Sequence, residues 1–285
     1  DNSMSRKVAF ITGASRGIGA ESAVALARAG FDVAITARTL AGGQEQDYGG
    51  RFVGLPGSLE ATAAAVEKVG GSALCLQADI LQVDSIVSAA KSALSHFGRM
   101  DLLFNNAIYQ GAGVLADIVD VQPQQVKALF QGNVFTPLAL VQALLPALES
   151  QKTSTIINMV SYAAFNAPPA SATDGGWSFA YSASKAAFAK MVGSLQVEHA
   201  DSGLRALNLE PGTVISEVMR AAGIDEAVLG RYKPCSPATI GGVVAWLANN
   251  TPSPDYQDTN CIRGPALAKH LNLLKAPSLL GDRYE

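Results

Sequence analysis

The chain has 285 residues, 48% of them hydrophobic and 16% charged, and its 21 Lys plus Arg against 24 Asp plus Glu leave a formal charge of −3. The apolar content is enough for one large core, while so slight an acidic balance excludes the basic surface of a nucleic-acid binder. Cys75, Cys235 and Cys261 are odd in number and widely spaced, His96, His199 and His270 have no partner at metal-ligand spacing, and no apolar run or signal-like core suggests a membrane, so a soluble cytoplasmic protein without metal is expected.

In chain order, Asp1–Ser3 precede Met4 and are set aside as a leading remnant, which leaves 4–285 as one folding unit. Val8–Thr12 reads as a short buried strand, and Gly17–Ala29 carries helical periodicity that ends at Gly30. Asp32–Ala37, Ala73–Gln77, Leu102–Asn105, Thr155–Val160 and Ala206–Leu209 read as further strands. Helical patterns fill 58–69, 82–97, 122–149, 180–201 and 237–249. Strands alternating with helices predict an α/β, doubly wound Rossmann-type domain, with a mainly parallel sheet and helices on both faces. Three segments exceed that plan: the Gly-rich stretch 39–57, the Pro/Gly/Ser stretch 167–177, and 212–234. All begin at carboxyl ends of strands, where such sheets bind ligands. Contact with a ligand is expected for the last two, with 212–234 as a substrate loop, and is left open for the first. Residues 265–285 form a C-terminal tail.

Between the first strand and first helix lies Thr12-Gly13-Ala14-Ser15-Arg16-Gly17-Ile18-Gly19. Gly13 suits a sharp turn, Gly17 lets backbone approach a pyrophosphate at the helix N-terminus, and Gly19 allows close packing. Just past the second strand, where an acid would pair with a ribose 2′-hydroxyl, stands Arg38. Arg38, with Arg16, suits a 2′-phosphate instead, which favours NADP(H) over NAD(H).

Tyr181 and Lys185 share a helical face at i and i+4, so a cation stands beside a phenol and favours its ionised form. Ser161 follows the strand that ends at Val160 and is placed to bond a substrate oxygen. Asn133 lies along an apolar stripe of Val126, Leu129, Phe130, Val134, Leu138, Val141 and Leu145. Pro137, four residues on, has no N–H for the Asn133 carbonyl, which is left to hold a relay water. Tyr109, Tyr162, Phe165, Trp177, Val218 and Met219 suggest an apolar substrate pocket.

Together, Thr12–Gly19, Asp79, Asn105-Asn106-Ala107, Asn133, Ser161, Tyr181/Lys185 and Pro211-Gly212 resemble the short-chain dehydrogenase/reductase family over roughly the first 250 residues. The LPGSLEATA segment is similar to a hydroxysteroid dehydrogenase-like branch. The resemblance implies a seven-stranded sheet, a homodimer or homotetramer, and a catalytic set of Asn133, Ser161, Tyr181 and Lys185. It implies that Asp79 bonds adenine, that Asn105 steadies the central strand and lines the cofactor, and that Ser216 stands near the carboxamide. It adds Ser15, Ile18, Ile80, Ala107, Pro211, Gly212 and Val214 to the cofactor-binding residues, beside Tyr181 and Lys185 themselves. Ile108 replaces the family's usual glycine, the Ser161–Tyr181 interval is long, and the segment Asp258–Pro265 departs from the usual final strand. The leading expectation is reduction of a small apolar carbonyl compound, or oxidation of the alcohol. An enoyl reductase and a cofactor-sensing protein without turnover are the alternatives.

Overall fold

Side chains of β1 (Lys7–Thr12) alternate between two apolar layers, because successive residues of a strand face opposite ways. Ala9 and Ile11 enter one core and Val8 and Phe10 the other. The same division continues in β2 (Phe31–Ala37), where Val33 and Ile35 face one way and Ala34 the other. A strand buried on both faces needs apolar residues throughout, which is why these segments read as unbroken hydrophobic runs.

A computed structural model describes residues 6–42, 45–214, 234–258 and 260–275. After β1 and α1 (Gly17–Arg28) come β2, the short strands β3 (Glu45–Tyr48) and β4 (Arg51–Gly54), α2 (Leu59–Glu67), β5 (Ala73–Gln77), α3 (Val83–Phe97) and β6 (Leu102–Asn105). The chain continues through α4 (Pro123–Phe130), a π-helical turn Gln131–Phe135, α5 (Thr136–Glu149), β7 (Ser154–Met159), α6 (Phe179–Glu198) and β8 (Leu204–Glu210). It closes with α7 (Pro237–Asn249), β9 (Gln257–Asp258), β10 (Cys261–Arg263) and α8 (Gly264–His270). The main sheet runs β5-β2-β1-β6-β7-β8-β10-β9. Seven strands are parallel, as expected, and the two-residue β9 adds an antiparallel edge.

One core lies under α1, α2, α7 and α8, the other under α3, α5 and α6. Chain order reverses between β1 and β6, which opens a crevice at their carboxyl ends. Two expectations change here. The stretch 122–149 is not one α-helix but two joined by the π turn, which adds a residue to the pitch and rotates the buried face. Leu129, Asn133, Leu140, Val141, Leu144 and Leu148 are buried, whereas Leu138 is exposed and Val134 and Leu145 are half-buried. This helical stretch is also long and apolar enough to cross a membrane by length and composition, although its inner face packs on the sheet.

Candidate active site

The turn after β1 is shaped by its glycines. Gly13 and Gly17 have φ of 69° and 57°, in the left-handed region that side chains avoid. A Cβ at Gly13 would lie 2.9 Å from the Ala107 Cα, so the turn rests against the segment leaving β6. A Cβ at Gly19 would run into the Gly13 carbonyl, so this glycine makes room for the turn itself. Thr12 Oγ1 accepts from the backbone N–H groups of Asn106 and Ala107 at 3.0 and 2.9 Å. Asn106 Nδ2 donates back to the carbonyls of Thr12 and Gly13 at 3.0 and 3.2 Å. Thr12 and Asn106 brace the turn although neither was singled out as a binding residue. Their signal was the Asn-Asn pair at the end of β6.

The first turn of α1 has neither an acidic residue nor a side-chain cap. Its N–H groups and positive dipole end thus face the crevice, the chemistry that suits a phosphate. By contrast α2 has both Ser58 as its cap and Glu60 in its first turn. Beside the α1 N-terminus lies a cleft of about 250 Å³, whose lining includes Gly13, Ser15, Arg16, Ile18, Arg38, Asp79, Ile80, Ala107, Ile108, Tyr109 and Val214. The glycine turn, the uncapped helix end and this cleft fit a dinucleotide. Asp79 meets the cleft while its Oδ1 accepts from the Leu81 N–H at 2.9 Å.

Asn105 steadies the central strand, as the resemblance implies: it is buried, and its Nδ2 donates to Asn158 Oδ1 at 2.9 Å, which joins β6 to β7, while its neighbour Asn106 lines the cleft. Pro211 and Gly212 make the bend after β8, where the Gly212 N–H donates to Glu210 Oε1 at 2.8 Å. Val214, bridged to Cys235, is the part of this segment that reaches the cleft. Ser216, Val218 and Met219, with most of 212–234, lie outside the described residues.

The Gly-rich stretch 39–57 carries the two short strands β3 and β4. Gly49 and Gly50, both with positive φ, form a two-residue turn that pairs β3 with β4 as a hairpin. Its neck is tied where the N–H groups of Leu59 and Glu60 donate to the carbonyls of Thr39 and Leu40. Arg16 also holds the neck, with Nε donating to the Pro56 carbonyl at 2.8 Å and a terminal nitrogen to Thr39 Oγ1 at 3.3 Å. The tip reaches the far wall, where the Gly49 N–H donates to the Gln110 carbonyl at 2.8 Å. Asp47 and Leu55 thereby line the cleft. Gly57 closes against the glycine turn, since a Cβ there would lie 2.5 Å from the Ser15 carbonyl.

The expected proton-transfer residues gather at the end of β7. Lys185 is 3% exposed, its Nζ donates to the Met159 carbonyl at 2.7 Å, and burial lowers its pKa from 10.5 to about 7. Tyr181 lies one helical turn earlier, in the first turn of α6, which Ser178 caps by accepting from the Tyr181 N–H at 3.1 Å. Ser161 stands two residues past β7 and caps the short turn that follows. Asn133 sits in the π turn, a form often found at functional sites. Its Oδ1 accepts from the Tyr109 N–H at 2.7 Å, and its Nδ2 donates to Ser184 Oγ at 3.2 Å. Hydrogen bonds thus join Asn133 to the neighbour of Lys185, and Lys185 to the strand that carries Ser161.

Among the described residues, none of these four lines the 250 Å³ cleft, although Tyr109, whose N–H donates to Asn133, does. The insertion 167–177 leans onto another loop instead of the cleft, with Thr173 Oγ1 donating to Asp117 Oδ2 at 2.8 Å. That bond holds the Asp117 carboxyl below its ordinary pKa. Trp177 meets Tyr162 edge-on at 6.1 Å, while Phe165 packs against the small core of Val160, Phe188 and Ala189.

Residues 7–227 match the family described as short chain dehydrogenase. The chain is 33% identical to an uncharacterized oxidoreductase of Methylorubrum extorquens, over 86% of this chain and 91% of that protein. It is 27% identical to a 3-oxoacyl-[acyl-carrier-protein] reductase of Synechocystis sp., over 87% of this chain and 91% of that one. A metagenomic short-chain oxidoreductase solved in complex with NADP superposes with a TM-score of 0.66 at 28% identity, covering 90% of this chain and 96% of that one.

Proposed function

The chain belongs to the short chain dehydrogenase family, and from that premise we propose that it transfers hydride between NADP(H) and the carbonyl or alcohol carbon of a small, largely apolar molecule. The nicotinamide, when bound, supplies or accepts the hydride. Gly13, Ser15, Gly17, Ile18 and Gly19 would hold the pyrophosphate at the α1 N-terminus, Arg38 the 2′-phosphate, and Asp79 and Ile80 the adenine. Asn105, Ala107, Pro211, Gly212, Val214 and Ser216 would frame the nicotinamide end, with Tyr181 and Lys185. Arg16, which lines the same cleft and whose guanidinium also bonds Pro56 and Thr39, would assist Arg38.

Tyr181 gives its phenolic proton to the carbonyl oxygen during reduction and takes it back during oxidation. Ser161 donates a hydrogen bond to that oxygen and stabilises the charge that develops on it. Lys185, with its pKa near 7, can release and regain a proton under neutral conditions. Asn133 marks the outer end of that relay. Family membership also supports a homodimer or homotetramer.

The observation that carries this reading is how the first turns of α6 are seated: Lys185 bonds the end of β7, and Ser184 receives Asn133. The test is NADPH oxidation over a panel of ketones, aldehydes, 3-oxoacyl thioesters and enoyl thioesters. Carbonyl turnover is expected, and Tyr181→Phe should lower it by about 10³-fold with NADPH affinity unchanged. Turnover of enoyl compounds alone would establish the other reductase chemistry. NADPH binding without turnover of anything would leave a sensing protein. A fully active Tyr181→Phe would place the acid elsewhere.

A further inference from the structure

The β3–β4 hairpin brings one carboxylate into the cleft from outside the Rossmann-type body. Asp47 is half-buried, and its Oδ1 accepts from the Gly50 N–H at 2.8 Å, which fixes the side chain at the base of the hairpin turn. Asp47 and Arg38 line the same cleft, together with Asp79 and Tyr109. Tyr109 registers all three charges: burial raises its pKa most, Asp47 and Asp79 raise it further, and Arg38 lowers it. A carboxylate on the hairpin and a guanidinium at the end of β2 therefore both act on Tyr109 in the wall of one cleft.

We infer that Asp47 sets the balance between NADPH and NADH, by opposing a phosphate where Arg38 would receive it. The inference rests on the proposal that a nicotinamide dinucleotide occupies the cleft. A 2′-phosphate carries close to two negative charges at neutral pH, so the attraction of Arg38 is offset by repulsion from Asp47. A 2′-hydroxyl carries no charge and meets no such repulsion. Arg16, whose guanidinium bonds the hairpin neck, ties the hairpin and its carboxylate to the turn that would hold the pyrophosphate.

Dissociation constants for NADPH and NADH, measured by titration calorimetry on the whole chain, test this in wild type, Asp47→Asn and Asp47→Ser. Asparagine keeps an oxygen for the Gly50 N–H and removes only the charge. Both variants should bind NADPH about tenfold more tightly, with NADH changed by less than about twofold. An unchanged NADPH-to-NADH ratio in both variants would overturn the inference. So would a parallel weakening of both nucleotides, which would make the hairpin merely structural. A wild type that binds neither nucleotide would overturn the cofactor reading itself, and the inference with it.

Discussion

Lys185 shows how a single position carries both function and cost. A lysine titrates at 10.5 in the open chain, but on the buried face of α6 Lys185 titrates at about 7. Between those values the unfolded chain binds a proton that the folded chain does not, so stability rises with pH through that window. The cost is full below about pH 7 and gone above about pH 10.5. It is of the order of a few kcal/mol, because every tenfold loss of proton affinity on folding corresponds to about 1.4 kcal/mol. Lys185→Met removes the charge but also leaves the Met159 carbonyl without its donor. The melting temperature of the variant relative to wild type should therefore be higher at pH 6 than at pH 9, while activity is lost. A difference that does not vary with pH would mean that Lys185 folds without a burial cost.

At the scale of elements, the glycine turn is only as well placed as α1. That helix crosses α7 closely, and a Cβ at Gly241 would lie 2.8 Å from the backbone carbonyl carbon of Glu21. Backbone cannot yield as a side-chain tip does, so Gly241→Ala should cost about 1–3 kcal/mol and tilt α1. Thermal melts should show the loss, and nucleotide affinity should fall with it even though Gly241 is remote from the turn. Unchanged affinity would show that the Thr12–Asn106 brace alone fixes the turn. The π turn at Gln131–Phe135 was partly legible, because Pro137 has no N–H for the Asn133 carbonyl and so interrupts the regular helical ladder there. What Pro137 does not reveal is the extra residue per turn, so the forecast stripe drifted and put Leu138 inside. The hairpin was legible too, as Gly49-Gly50 between two four-residue strands, but its richness in glycine disguised it as loop.

For the whole molecule, the cleft exists because the sheet reverses order between β1 and β6, and its walls come from residues as distant as Gly13, Asp79, Tyr109 and Val214. A ligand held by all of them resists unfolding of the entire sheet. NADPH at a hundredfold excess over its dissociation constant should add about 2.7 kcal/mol and raise the melting temperature by several degrees. Failure of either nucleotide to shift the melt would count against dinucleotide binding in this cleft.

Residue type and spacing along the chain were enough for six of the seven parallel strands and the turn Gly13–Gly19, and they singled out Asn133, Ser161, Tyr181 and Lys185 as candidates, while the seventh strand, Cys261–Arg263, was implied only by the family resemblance. Each of the others depends on local periodicity or on a short pattern of side chains. Only the folded chain decided that Asn106 lines the cleft, that Asn105 ties β6 to β7, that Arg16 holds the hairpin neck, and that Asp47 and Arg38 line one cleft. Those facts depend on which way a side chain turns at a strand end and on where a loop lands, and long-range packing sets both.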